Sequence, residues 1–431
     1  MTAWGRTVLA QRTEQKVRVL QETLHRAAKA DPKRTFGVLY DKVTWWEVLW
    51  LAWYRVRRNR GAPGVDGRTI EAIKASGEVR FLREIQAELR AKAYRPRPVR
   101  RVFIPKGRGQ FRALGIPVVK DRVIQGAVKI VLEPIFEASF RDGSYGFRPG
   151  RGSRDAIAAV RKWVTYGYTH VIDADIAACF DSIDHALLLR LVQRRVRDKW
   201  VLRLIRWWLE AGILEADQVR TPVRGTPQGG VLSPLLANIA LHPLDRYWEA
   251  QHPETKLIRY ADDFVVLTRG RPAVAYRPSL AAITRRLKLQ LSPEKTRIVE
   301  AEGGFDFLGV HFVRKPTRRT GTRAFCYAFP TAKAMNHVRQ KIREAIGRDL
   351  RQPLTQVIEA LTPLLRGWSV YYHWLNSGQH FRKVDQYVVW KLQRWLRRKQ
   401  QRTRRAFRRP SPEWWAAQGL FRCEGTSVRV W

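Results

Sequence analysis

Lys256-Leu257-Ile258-Arg259-Tyr260-Ala261-Asp262-Asp263-Phe264-Val265-Val266-Leu267 places two adjacent aspartates between two short β-prone runs. The pattern predicts a hairpin with both carboxylates at its tip. Two carboxylates held this close raise each other's pKa unless a cation neutralises them. A divalent ion bound through oxygen is the usual resolution. An Asp-Asp pair alone is also the ordinary composition of a surface turn, so the rest of the chain must decide between the two readings.

Composition narrows the partner first. The 431 residues carry 81 Lys+Arg against 38 Asp+Glu, a net charge of +43, with 45% hydrophobic residues. That is a globular chain long enough for two or three cores, and its charge calls for a polyanion, nucleic acid before membrane. The basic residues run along the whole chain and form no single polybasic cluster beside an apolar helix. Cys179, Cys326 and Cys423 are far apart and odd in number, which excludes a disulfide framework and a structural zinc site and points to a reducing compartment. The apolar stretch from Val43 to Tyr54 contains Glu47 and is too short to span a bilayer, and no signal peptide is apparent. The expectation is a cytoplasmic protein with no membrane partner.

Residues 1 to about 60 read as helical, ending in a basic run with Arg57, Arg58 and Arg60 before the loop Gly61 to Gly67. A basic run next to a Gly-rich turn suits a phosphate backbone, though a solvated linker has the same look. Phe81, Ile85 and Leu89 predict a helix. Val99 to Pro117 reads as a hairpin with a Gly-rich basic tip, flanked by Lys106 and Arg112. Val123, Ala127 and Val131 predict a helix ended by Pro134. Ser144 to Gly152 interleaves Phe147, Arg148 and Arg151 in a loop, a composition that stacks on bases and grips phosphates.

Val171 to Ile176 alternates as a strand, with Asp173 and Asp175 on one face. Asp181 and Asp184 follow and read as helix caps, whereas Asp175, at a strand end, needs a partner. Thr226 to Ile239 is a Gly-rich turn with Gln228, leading into an apolar helix. Leu287, Leu289 and Leu291 predict a further strand, and Phe305 to Val310 a short strand or hairpin. Beyond about residue 330, three apolar stripes predict three helices: Met335 to Ile346, Val357 to Trp368 and Phe381 to Trp395. The third carries Lys391, Arg394 and Arg398 on its solvated side.

Carboxylates from two separate segments, Asp175 and Asp262-Asp263, meet the requirement for two divalent ions about 4 Å apart that clamp a phosphoryl displacement. With these residues in view, Tyr260-Ala261-Asp262-Asp263 resembles the signature box of reverse transcriptases. The wider set, from Arg57 to Gly67 through Phe307-Leu308-Gly309, resembles the reverse transcriptase/maturase proteins encoded by group II introns, with eight segments in the family's order. Leu365-Arg366-Gly367-Trp368-Ser369-Val370-Tyr371-Tyr372 resembles the family's thumb motif.

The resemblance implies an α+β right-hand polymerase: fingers, an antiparallel palm sheet and a helical thumb. Its expected divisions are an N-terminal extension at 1–60, interleaved fingers and palm at 61–325, a helical thumb at 326–400 and a basic nucleic-acid-binding tail at 401–431. By resemblance, Asp175, Asp262 and Asp263 are the catalytic carboxylates, with the backbone of Ile176 a further metal contact. Lys106 and Arg112 hold the triphosphate, Phe180 lies under the sugar, Gln228 near the nucleotide, and Lys295 assists pyrophosphate departure. Phe307, Leu308 and Gly309 form the primer grip. Two Mg²⁺ ions (Mn²⁺ as a substitute), dNTP, an RNA template with DNA primer, target DNA and the host intron RNA are the implied partners. Departures from the family pattern are Ala113 and Ala177, neither at the chemistry. After residue 400 there is one cysteine and no histidine, so the C-terminal HNH endonuclease of many relatives is expected to be absent. Competing readings are a related polymerase recruited to CRISPR spacer acquisition or phage defence, a splicing factor without catalysis, and a generic polyanion binder. Intact Asp175, Asp262 and Asp263 argue against the second, and the third leaves the acidic patch unexplained.

Overall fold

The computed structural model describes residues 3–107, 110–215, 218–220, 224–226, 229–317, 324–401 and 408–426. Among these, the strands are β1 (Val99–Gly107), β2 (Gln110–Ile116), β3 (His170–Asp175), β4 (Ile213–Glu215), β5 (Gln218–Arg220), β6 (Lys256–Tyr260), β7 (Asp263–Thr268), β8 (Arg297–Glu300), β9 (Phe305–Phe307), β10 (Val310–Pro316) and β11 (Ala324–Pro330). They form three sheets, ordered β2-β1-β4-β5, β6-β7-β3-β8 and β11-β10-β9. The second is antiparallel throughout and is the expected palm sheet. Val171, Val265 and Leu267 point to one of its faces and Ile172, Ala174, Phe264 and Val266 to the other, so the sheet is buried on both sides. That two-sided burial explains the near-continuous apolar run of β7.

The fingers core gathers around helix Val119–Glu137, which is almost wholly buried. Pro134 does not end this helix but lies inside it, because another element repairs the damage. Proline removes the donor that the Ile130 carbonyl would use. The side-chain amide of Gln21, on helix Ala3–Ala30, donates to that carbonyl at 2.9 Å, and a His25 ring nitrogen lies 3.1 Å from the Pro134 carbonyl. The expected strand through Leu287, Leu289 and Leu291 is also corrected. Lys288 turns with φ +58, and only Leu291 bridges a strand end, at Ile176.

Helices Ala332–Ile346, Leu354–Tyr372 and Gly378–Lys399 form the thumb, with the expected apolar stripes inward. Residues 408–426 do not stand off as a tail: Trp415, Leu420 and Cys423 enter the same apolar cluster. The Asp385 carboxylate holds this segment by accepting the N–H groups of Cys423 and Glu424, each at 2.9 Å. Among the described residues, no helix is long and apolar enough to cross a membrane.

Candidate active site

Register alone brings the acidic residues together. Asp175, last in β3, is paired directly with Asp263, first in β7, and Asp262 lies in the two-residue turn between Tyr260 and Asp263. Ala261, the first turn residue, has φ +59, the position where a type II′ turn favours glycine. The Ile176 N–H donates to the Asp262 carbonyl at 3.4 Å, fastening the end of β3 to the turn.

The turn is held from beneath by a residue outside the expected site set. Arg259 is fully buried and forms a two-pronged ion pair with Asp245 of helix Ser233–Gln251, Nε to Oδ1 at 2.7 Å and Nη2 to Oδ2 at 2.5 Å. The same guanidinium donates to the Ala261 carbonyl at 2.8 Å, to Ser144 Oγ at 2.8 Å and to Asn238 Oδ1 at 3.1 Å. Asn238 in turn donates to the Gly146 carbonyl at 2.8 Å. Gly146 lies so close to the turn that a Cβ there would stand 2.4 Å from the Ala261 nitrogen. The loop from Gly143 to Gly146 thereby covers the free edge of β6 and clamps its tip. One signal for Arg259 exists in the sequence: a lone charge within an apolar strand must find a buried partner.

Burial and mutual repulsion leave the carboxylates short of positive charge. Burial, then Asp173, Asp175 and Asp262, raises the Asp263 pKa to about 7. Burial also raises Asp262, with Asp175 adding to the rise and Arg112 and Lys295 opposing it. Asp173, two residues before Asp175, is raised to about 6, chiefly by burial. It is a fourth acidic group behind the three expected ones. Lys295 Nζ lies 2.7 Å from Asp175 Oδ2, and its own pKa is raised by that hydrogen bond. Among the described residues, no three His, Cys, Asp or Glu side chains are already gathered as a metal cage. The donor chemistry, carboxylate oxygen throughout, is that of a site for hard divalent cations.

The other expected residues divide. Phe180 is 8% exposed in the short helix Cys179–Ser182, edge-on to Phe147 at 6.4 Å, and Phe147 is equally far from Tyr260. Arg112, on β2, is close enough for its charge to lower both Asp262 and Asp181. Asp181 lies inside helix Cys179–Ser182, whose N-cap is Ala178, and so does not cap it, whereas Asp184 is a cap, accepting the Leu187 N–H at 2.8 Å. Gln228 and the Lys106 side chain lie outside the described residues. Phe307, Leu308 and Gly309 form the β9–β10 hairpin end, with φ +51 at Leu308 and +77 at Gly309, as a type I′ turn requires.

Arg148 is a correction. Its side chain is 3% exposed, forks onto Glu137 at 2.6 to 3.0 Å and donates to the Arg141 and Ser144 carbonyls, leaving nothing for RNA. Arg151 pairs with Asp142 at 2.9 Å and Arg57 with Glu78 at 3.0 Å. Arg58 and Arg60 are exposed. On the thumb, Lys391 and Arg394 lie over the Trp390 ring at 5.1 and 5.0 Å, and Arg398 is exposed.

Comparison with known proteins agrees with this architecture. Residues 104–312 match the family described as reverse transcriptase (RNA-dependent DNA polymerase). Residues 335–414 match the group II intron maturase-specific domain. The chain is 34% identical over 359 residues to protein YkfC of Escherichia coli (strain K12), covering 74% of this chain and 93% of that protein. It is 30% identical over 366 residues to the group II intron-encoded protein LtrA of Lactococcus lactis subsp. cremoris, covering 70% of this chain and 60% of LtrA. Nuclear intron maturase 1, mitochondrial, of Arabidopsis thaliana is 27% identical over 196 residues, 33% of this chain and 27% of that protein. With its paired aspartates on a right-hand polymerase fold and its maturase domain behind them, the chain belongs to the group II intron-encoded reverse transcriptase/maturase family of RNA-directed DNA polymerases.

Proposed function

We propose that this protein copies intron RNA into DNA at Asp175, Asp262 and Asp263, and that its thumb binds the same intron RNA to assist splicing. The observation carrying the first half is the pairing of Asp175 with Asp263 across the palm sheet, with Asp262 in the adjoining turn. The three carboxylates, with the Ile176 backbone, would hold two Mg²⁺ ions, for which Mn²⁺ can substitute. When bound, such ions stabilise the charge of an in-line displacement, the primer 3′-hydroxyl attacking the α-phosphate of a dNTP. Arg112, with Lys106, receives the triphosphate. Phe180 packs under the sugar, where its ring excludes a 2′-hydroxyl, and Gln228 lies beside the nucleotide. Lys295 is assigned to the departing pyrophosphate; a lysine kept protonated by its carboxylate neighbours can donate to a leaving group.

Phe307, Leu308 and Gly309 are the primer grip in this reading. The fingers and palm interleave over 61–325, and the thumb over 326–400 presents Lys391, Arg394 and Arg398 to RNA. Phe147, Arg58, Arg60 and Arg151 face the template side. The charge of +43 supports a polyanion large enough to engage both halves, intron RNA first and target DNA during mobility. The work belongs in the cytoplasm, where a bacterial-type intron transcript is made.

Mg²⁺-dependent dNTP incorporation on a primed RNA template tests the reading, with wild type beside the double variant Asp262→Ala/Asp263→Ala. Incorporation should vanish in the variant while intron splicing persists. A folded, RNA-binding wild type that incorporates nothing would refute the polymerase half.

A further inference from the structure

The Leu308-Gly309 turn is not held by its own sheet alone. Tyr371 Oη donates to the Leu308 carbonyl at 3.0 Å and Tyr372 Oη to the Gly309 carbonyl at 3.2 Å. The Thr331 N–H, at the start of the first thumb helix, also donates to the Gly309 carbonyl at 3.1 Å. Consecutive helical residues point about 100° apart, so both tyrosines reach one turn only because the end of helix Leu354–Tyr372 abuts it. A side chain at Gly309 would meet this contact, since its Cβ would stand 3.2 Å from Tyr372 Oη. Tyr371 also reaches the palm. It shares a hydrogen bond with Ser153, first residue of helix Ser153–Thr165, and lies near the Tyr260 phenol, one residue before the Ala261-Asp262 turn.

We infer that Tyr371 and Tyr372 are positioning residues that fix the Leu308-Gly309 turn to the thumb and so set where a primer 3′ terminus lies relative to Asp262 and Asp263. The role rests on the reading of Phe307-Leu308-Gly309 as the primer-side turn. Neither phenol touches the reacting atoms; each acts through a backbone carbonyl. Tyr371, between Leu308, Ser153 and Tyr260, ties the primer-side hairpin, a palm helix and the catalytic hairpin at one point. A shift of the thumb on its duplex would then carry the primer terminus with it.

The test uses the full chain with Tyr371→Phe/Tyr372→Phe, which keeps the ring packing of Tyr372 on Trp368 at 5.0 Å and deletes only the two hydroxyls, with the Ser153 contact of Tyr371. A DNA primer with 2-aminopurine as its 3′ base, annealed to an RNA template, reports terminus placement by fluorescence before any dNTP is added. Single-turnover incorporation is then started from the preformed complex at saturating dNTP. The expected result is brighter 2-aminopurine and a single-turnover rate lower by about tenfold, the loss of two hydrogen bonds of ordinary strength, at unchanged dNTP affinity. Fluorescence and rate both within about twofold of wild type would overturn the inference, because ordinary hydrogen bonds that mattered would be worth more. If the double variant does not fold, Tyr371→Phe alone is read in the same way, with Gly309 still held by Tyr372 and Thr331. Should wild type incorporate nothing, the polymerase reading has failed, while the fluorescence comparison still reports whether the tyrosines place the terminus.

Discussion

Two hairpin tips, Ala261-Asp262 and Leu308-Gly309, are secured in opposite ways. At the tip that carries Asp262 and Asp263, Ala261 is held with φ +59 by a guanidinium buried beneath it, and every partner of that guanidinium belongs to the fingers and palm. At the Leu308-Gly309 tip, both residues hold positive φ under three donors that all come from the thumb: Tyr371, Tyr372 and Thr331. The first arrangement makes the carboxylates part of a rigid body. The second fastens the Leu308-Gly309 turn from outside its own sheet, to the helices that follow it in the chain.

The largest effect should come from the buried pair. Arg259→Ala leaves Asp245 unpaired in the interior, and is expected to cost about 3–5 kcal/mol in denaturant unfolding. Tyr372→Phe should cost about 1 kcal/mol in the same measurement, since Gly309 retains the Thr331 N–H. Equal costs would break the contrast between a built-in and a borrowed support.

Protonation gives a second test. Asp263, raised to about 7, and Asp173, raised to about 6, bind protons more tightly folded than unfolded. Their contribution to stability is therefore complete below about pH 4, the ordinary carboxyl range, and is lost as pH rises through 6 to 7. The melting temperature of the metal-free protein should fall between pH 5 and pH 8, and Asp263→Asn should flatten most of that fall. A variant at the other tip, such as Leu308→Gly, should leave the slope as it is.

Strain supplies a smaller effect. Ala261→Gly removes a positive-φ penalty at the loss of one methyl group, and is expected to stabilise by up to about 1 kcal/mol. Leu308→Gly relieves the same kind of penalty but strips a side chain packed on the thumb-side cluster, and should come out near neutral. The smallest effect is at the periphery. Arg58→Ala should leave melting unchanged and lower the salt-dependence slope of RNA binding by about 1. Arg148→Ala, by contrast, should unfold the loop it holds and leave that slope alone.

Alternation and spacing made most of this architecture legible. The β6–β7 hairpin, β3, the β1–β2 hairpin and the three thumb helices lie where their apolar periods place them, because each buries a face that the pattern itself marks. The failures have one physical origin: a side chain far away in sequence changes what a local signal means. Pro134 reads as a helix stop until Gln21 supplies the missing donor. Arg148 reads as a phosphate ligand until Glu137 and two carbonyls saturate it. The leucines from 287 to 291 alternate like a strand, yet a left-handed Lys288 turns the chain between them. Arg259 reads as a charge in need of a buried partner, and only the fold shows that Asp245, Asn238 and Ser144 are what it finds.

The lysine on Asp175 also carries a consequence in time. Lys295 follows Asp175 by 120 residues, so a ribosome adding 5–20 residues per second delivers it roughly 6 to 24 s later. Throughout that interval β3 has no complete sheet, and its aspartates lack the cation that balances them. The charge balance of the acidic cluster is thus completed late, by a residue that the ribosome reaches only after Asp173, Asp175, Asp262 and Asp263 have all been made.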